Sequence, residues 1–285
     1  MGIKVNNVSY TYQKKATNAT LALDNVSLCI EDNSFVAIVG ETGSGKSTLA
    51  QMFNALLIPH QGEVVSQDVT ISHKNRKSKK IRGLRKRVGL VFQFPEYQLF
   101  EETVEKDVAF GPKNFGAKQE EALEKAHLAL KQVGLDESYY QRPPFELSGG
   151  ERRKVAIAGI LAIDPDVIIF DEPTVGFDPA SSKELMQLIC EFHKQGKTII
   201  IITHDMNLVN EYAEKTFMLA NGKIAFTGTP SQLFDHVQGY DRLDVPMVYK
   251  VAMALKEKGM DIDLADIKNI ANLVEYIKKW RVKNG

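Results

Sequence analysis

Gly40-Glu41-Thr42-Gly43-Ser44-Gly45-Lys46-Ser47 stands directly behind Phe35-Val36-Ala37-Ile38-Val39 and directly ahead of Thr48-Leu49-Ala50-Gln51-Met52-Phe53. The first run is continuously apolar, as a strand buried on both faces must be, and the last has helical spacing, so the unit reads strand, loop, helix. The eight residues between them fit G-x-x-x-x-G-K-[ST], and a strand before and a helix after form the context in which that pattern binds phosphate. Glycine lets the backbone wrap closely, so that amides from Gly40 through Glu41, Thr42, Gly43, Ser44 and Gly45 point at phosphate oxygens, with the helix N-terminus adding positive potential. Lys46 is expected at the β- and γ-phosphates and the Ser47 hydroxyl on Mg²⁺, with Thr48 completing the contact set.

A phosphate loop needs an acid at a neighbouring strand end to hold the magnesium shell. Val167-Ile168-Ile169-Phe170-Asp171-Glu172 supplies one, an apolar strand ending in two carboxylates. Asp171 is assigned to the metal. Glu172, one residue on, is offset from the metal and placed to orient or deprotonate a water at the γ-phosphate. Further apolar runs at 88–92 and 198–203, with a helix expected over 181–195, give the alternation of a parallel α/β sheet.

Outside this core the patterns change. Residues 3–30 alternate apolar and polar in short runs, with a polar break between Gln13 and Thr20, and read as antiparallel strands. Residues 102–147 turn helical, most clearly at 119–132, where Ala122, Leu123, Ala126, Leu130 and Val133 recur three or four apart. After about residue 230 two amphipathic helices are expected, at 247–258 and 264–281, with Gly259 as the stop of the first. In the second, Leu264, Ile267, Ile270, Ala271, Val274 and Ile277 are expected to share a face. Residues 1–230 thus read as one domain, with a helical subdomain at about 94–160, and 231–285 as a second, helical one.

Composition narrows the function. The 285 residues are 44% hydrophobic and 25% charged, enough for a sizeable core, and 36 Lys+Arg offset 36 Asp+Glu, so no global field draws in nucleic acid. Two distant cysteines and the lack of a signal-peptide pattern at the N-terminus suggest a reducing cytosol. The longest apolar stretches fall well short of the ~20 residues that span a bilayer, so a membrane role would be peripheral.

Leu147-Ser148-Gly149-Gly150-Glu151 opens a helical run. Alone it is an N-cap that any helix could carry. Placed after the phosphate loop and before the Asp-Glu strand, it resembles the signature loop of ABC-type ATPases, with Ser148, Gly149 and Gly150 facing phosphate. The other elements follow in order. Tyr12 resembles the aromatic residue that stacks on adenine, although alone it reads as a strand aromatic facing the core. Gln93 resembles the glutamine loop that reaches nucleotide and metal, Asp178 the D-loop, and His204 the switch histidine that hydrogen-bonds the γ-phosphate. The resemblance covers residues 3–228. It implies a P-loop ABC nucleotide-binding domain: a RecA-like core, an antiparallel β subdomain, a helical subdomain and a small helical C-terminal extension. Two departures are evident: Glu151 stands where glutamine is commoner, and Val175 and Phe177 stand where Ala and Leu are more usual.

A narrower resemblance lies in Phe94-Pro95-Glu96-Tyr97-Gln98-Leu99-Phe100-Glu101-Glu102-Thr103-Val104, together with Val155-Ala156-Ile157-Ala158-Gly159 and the helical tail. These look like the ATPase subunits of energy-coupling factor transporters, importers of vitamins and transition metals, and most like the second ATPase of the pair. The resemblance implies ATP and Mg²⁺, and a second homologous ATPase or a second copy as dimer partner, with the tail contributing to dimerisation. It also implies a substrate-binding membrane subunit, a transmembrane coupling subunit docked on residues 94–102, and a place on the cytoplasmic face of the membrane. Aromatic anchors with Glu96, Glu101 and Glu102 nearby suit a basic partner helix. An exporter ATPase is the near rival. A nucleic-acid ABC ATPase is the distant one, since no long coiled coil separates the two phosphate motifs. The run at 74–87 carries nine Lys or Arg without interleaved aromatics and reads first as a solvated face, then as a lipid contact.

Overall fold

A computed structural model describes residues 2–13, 19–237 and 244–284; most of the polar break expected between Gln13 and Thr20, at 14–18, lies outside the described residues. β1 (Ile3–Tyr12) and β2 (Thr20–Ile30) pair antiparallel, Ile3 opposite Ile30 and Tyr12 opposite Thr20. β3 (Phe35–Val39), α1 (Lys46–Phe53), β4 (Gln61–Ser66), β5 (Val69–Ile71), α2 (Lys80–Arg87) and β6 (Val88–Val91) follow. The helical insertion consists of α3 (Val104–Asn114), α4 (Gln119–Gln132) and α5 (Gly149–Leu161). The chain continues through β7 (Val167–Asp171), α6 (Pro179–Lys194), β8 (Thr198–Ile202), α7 (Met206–Tyr212), β9 (Lys215–Ala220) and β10 (Lys223–Gly228). It closes with α8 (Pro230–His236), α9 (Met247–Glu257) and α10 (Ile270–Asn284).

Two sheets result, one in the order β2-β1-β4-β5 and one in the order β10-β9-β3-β8-β7-β6. In the second, the pairings from β9 to β6 are parallel and β10 is antiparallel to β9. Every residue of β3, β7 and β8 is buried, which is why these strands read as unbroken apolar runs in place of alternation. Their side chains feed two cores: Phe35, Ala37 and Val39 join the helices on one face, while Val36 and Ile38 meet α1 and the antiparallel sheet on the other. The phosphate loop follows β3, the acids end β7, and His204 follows β8. The register Ile38↔Ile202 and Asp171↔Ile202 therefore puts all three at the carboxyl edge of adjacent strands, where ligands of open α/β sheets bind.

The change of composition near residue 230 falls at Thr229, the N-cap of α8, whose Leu233 and Phe234 belong to the larger core. A separate small core holds Ala252, Met260, Ile262, Ile267 and Leu273. Gly259, at φ +89°, ends α9 as expected: the Gly259 amide donates to Lys256 O and the Met260 amide to Leu255 O, a Schellman closure. The second expected helix differs. Residues 264–266 form a 3-10 turn capped by Asp263, and α10 begins afresh after Asn269, whose side chain accepts from the Asn272 amide. That restart breaks the expected common face, burying Ile267 and Leu273 while leaving Ile270 73% exposed.

The basic run is partly structural. Arg85 donates to Ala55 O, Arg87 pairs with Asp166 and Gln67, and Arg82 reaches Asn114 O.

Candidate active site

Gly40, Gly43 and Gly45 have φ of +142°, +82° and +105°. A Cβ on Gly40 would lie 2.1 Å from Leu219 O and one on Gly45 2.5 Å from Ala22 O, so the loop is pressed against β9 and β2 as closely as backbone allows. Gly45 caps α1 without a side chain, leaving the first-turn amides to a ligand. Lys46 is buried and its Nζ donates to Gly40 O and Glu41 O, each at 2.8 Å. Burial lowers its pKa, opposed by the carboxylates of Glu172 and Asp171. The Ser44 hydroxyl is buried within the loop without a hydrogen-bond partner among the described residues, the condition of a donor intended for a phosphate oxygen.

Asp171 is buried at the end of β7, and burial raises its pKa while a hydrogen bond from Ser47 opposes the rise. A serine hydroxyl beside a desolvated carboxylate is a hard-oxygen pair suited to Mg²⁺, which keeps waters and phosphate oxygens in its remaining positions. Among the described residues no group of three His, Cys, Asp or Glu is placed to hold a metal ion. Glu172 takes φ +51°, an uncommon value for a side-chain-bearing residue that marks sites where geometry matters more than local ease. Its amide donates to Ile202 O at 2.8 Å, and its Oε1 lies 2.8 Å from His204 Nδ1. The acid just after β7 and the histidine just after β8 thus form a pair that strand spacing alone does not announce.

Tyr12 is 38% exposed, not a core aromatic; its hydroxyl lies 3.1 Å from Thr48 Oγ1, which ties the end of β1 to the first turn of α1. Tyr10 stands edge-on to it and stacks on His60.

Ser148, Gly149 and Gly150 are exposed at the start of α5, and their hydrogen bonds run within that start. The Ser148 side chain accepts from the Glu151 amide, the Glu151 carboxylate accepts from the Ser148 amide at 2.8 Å, and the Tyr139 hydroxyl donates to Glu151. Glutamate in place of glutamine thus completes a capping box, and these hydrogen bonds, from Ser148 first, hold its pKa down. Asp178 caps α6, accepting from the Ala180 and Ser181 amides. Gln93 is exposed two residues after the end of β6. The chain therefore brings Lys46, Ser47, Asp171, Glu172 and His204 together, and leaves Ser148–Gly150 exposed at the start of α5.

Residues 95–98 form a 3-10 turn, with Tyr97 82% and Phe100 57% exposed, and Phe100 stands edge-on to Phe110. The expected trio of outward carboxylates is split. Glu102 pairs with Lys106 at 2.9 Å, one helical turn on, and Glu96 turns inward to Arg153. Arg153 is the functional candidate that the sequence reading passed over. It is 5% exposed and bonds the carbonyls of Gln93 and Val175. Its signal was available: Arg153, Ile157 and Leu161 lie four apart, so an arginine occupies the buried stripe of α5.

Residues 23–175 match the ABC transporter family. The chain is 49% identical over 98% of its length to the energy-coupling factor transporter ATP-binding protein EcfA2 of Streptococcus agalactiae, covering 99% of that relative. It is 48% identical over 94% of its length to the protein of the same name from Streptococcus pneumoniae, covering 96% of it. Among solved structures it resembles cbiO1 of Clostridium perfringens, described as part of the ABC transporter complex cbiONQ, with a TM-score of 0.72 and 35% identity over 90% of this chain and 96% of that one. It also resembles the ATP-binding cassette MJ0796, a dimer bound to ADP and Pi, with a TM-score of 0.71 and 31% identity over 80% of this chain and 98% of that one.

Proposed function

The chain belongs to the ABC transporter family as an ATP-binding subunit of the energy-coupling factor type, and from that premise we propose how its residues hydrolyse ATP and pass the work to a membrane partner. It binds ATP and hydrolyses it for an importer. The observation that carries the mechanism is the meeting of Lys46, Ser47, Asp171, Glu172 and His204 at the ends of β3, β7 and β8.

The loop amides and Lys46 grip the β- and γ-phosphates, and Tyr12 stacks on the adenine. Ser47 and Asp171, with Gln93, would hold Mg²⁺ by oxygen, and the ion when bound would neutralise charge on the transferring phosphoryl group. Glu172 accepts the proton of the attacking water, while its hydrogen bond to His204 fixes the carboxylate beside the γ-phosphate. The exposed Ser148, Gly149 and Gly150 cover the nucleotide of a partner cassette, with Asp178 at the same junction. One chain therefore provides half of each of two sites. The partner is a homologous ATPase or a second copy, and the exposed Met247, Val251, Ile270 and Val274 of 231–285 support a further contact there.

Among the described residues no helix is long and apolar enough to cross a membrane; as the ATP-binding subunit of an importer, the chain sits peripherally on the cytoplasmic face. Residues 94–102, with Tyr97 and Phe100 outermost, dock the transmembrane coupling subunit, and a separate membrane subunit binds the vitamin or other micronutrient. No nucleic acid is involved. The test is to co-purify the chain with its membrane partners after Tyr97→Ala or Glu101→Lys/Glu102→Lys. Recovery of the complex should fall about tenfold or more, as truncating an interface anchor does, with ATP binding unchanged. Undiminished recovery with normal uptake into vesicles rejects the docking assignment.

A further inference from the structure

Arg153 sits where three separate segments meet. Its guanidinium donates through Nη1 to Val175 O and through Nη2 to Gln93 O, and its Cζ lies 4.7 Å from the centre of the Phe177 ring. Its Nε is 3.9 Å from Glu96 Oε2, an oxygen that is buried without a hydrogen-bond partner among the described residues. Burial disfavours the charge on Arg153, and Glu96 is the group that favours it. A planar donor fork can hold two carbonyls while lying on an aromatic face, which a lysine cannot do. The bulkier Phe177 thereby acquires a partner, and so does the carbonyl of Val175.

The Glu96 contact is the loose one. A charge-assisted hydrogen bond closes at about 2.7–2.9 Å, so a shift of roughly 1 Å in the guanidinium either completes this contact or abandons it. The 174–178 loop and residues 93–96 share no covalent neighbour, yet both are bound to one rigid group.

We propose that Arg153 is a positioning residue that transmits the placement of the 174–178 loop to the docking segment, through Val175 and Phe177 on one side and Gln93 and Glu96 on the other. When the loop moves against a partner cassette, the guanidinium moves with it and resets residues 94–98. This rests on the docking reading of 94–102 for its purpose, but the link is a property of the ATPase pair alone.

The exchange experiment therefore omits the membrane subunit. Hydrogen exchange is followed in the ATPase pair with and without MgATP, for wild type, Arg153→Met, Arg153→Lys and Phe177→Leu. In wild type, exchange at 94–98 responds to MgATP. In Arg153→Met that response is lost while protection at 40–48 persists; Arg153→Lys fails to restore it, and Phe177→Leu, which keeps the guanidinium, weakens it. In vesicles, uptake per ATP hydrolysed falls about tenfold or more in Arg153→Met, as expected when a coupling element is cut while the hydrolytic groups remain. A response at 94–98 that survives in Arg153→Met, or loss at 40–48 as well, overturns the proposal. Failure of the docking reading is separate: the response would be lost as expected while Tyr97→Ala left the membrane complex intact.

Discussion

The nucleotide lobe, residues 2–237 with α8 packed on its core, and the C-terminal helices, residues 244–284, are held together by different means. In the lobe, three adjacent strands are buried on both faces, and two large cores flank the sheet. In residues 244–284, five buried side chains form a core of their own, too few for independent stability. They are tied to the lobe by the Tyr249 ring against Phe234, the Tyr249 hydroxyl on Asp235, and Asn210, whose side chain donates to Ile267 O and Lys268 O at 2.8 and 2.9 Å. Burial pushes the Tyr249 pKa up to about 12. The lobe can therefore afford functional strain at Glu172 and a helix start at Gly45 that has no side-chain cap, whereas the tail depends on a few polar anchors and leaves apolar side chains exposed.

The largest expected effect lies wholly in the lobe. Glu172→Gln should bind MgATP nearly normally and hydrolyse it at least ~100-fold more slowly. A dimer that persists in size-exclusion chromatography with ATP should accompany it, and near-normal turnover would remove Glu172 from its role. Ser148→Arg tests whether the lobe is complete in one chain. Hydrolysis by the pair should fall at least ~10-fold, as a site loses its phosphate-facing helix start, while nucleotide binding to the isolated chain stays intact. Equal loss of both would place Ser148 on its own chain's nucleotide.

Asn210→Ala should sharpen the contrast from the other side. Two carbonyls lose their donor, at a cost of about 1–3 kcal/mol for the buried one, and hydrogen exchange across 247–284 should accelerate with the phosphate loop unchanged. Uniform acceleration in both regions would mean that they unfold as one unit.

The smallest effect concerns the charge buried in the lobe. Asp171 has its pKa raised by burial, so its folded form holds a proton more readily than the unfolded chain. Its contribution to stability is fully present below the ordinary carboxylate range and is lost as pH rises through the raised value. Asp171→Asn should therefore have the higher Tm at pH 7, and that advantage should shrink as the pH is lowered toward the carboxylate range. A constant difference across pH would show that the charge is compensated.

Much of the lobe was legible beforehand because its signals are local. A phosphate loop requires glycines and lysine within eight consecutive residues, and a doubly covered strand must be apolar throughout, so the strand-loop-helix at 35–53 and the Asp171-Glu172 terminus can be read without a partner segment. The antiparallel start, the helical insertion and the Gly259 stop carry similar short-range marks. The capping box of Ser148 and Glu151 is equally local: the N-cap pattern announces the helix start, and the family pattern marks Glu151 as a departure.

What tertiary structure alone decided are contacts between segments far apart in the chain. The pairing of Glu172 with His204 depends on the register of β7 against β8. The inward turn of Glu96 depends on a guanidinium 57 residues later in the sequence. The phase of α10 depends on Asn269 restarting a helix after a 3-10 turn, a choice between two local geometries that hydrophobic spacing cannot distinguish. Periodicity reports which face of an element is apolar; which charged or polar group sits beneath that face is decided only when the elements pack.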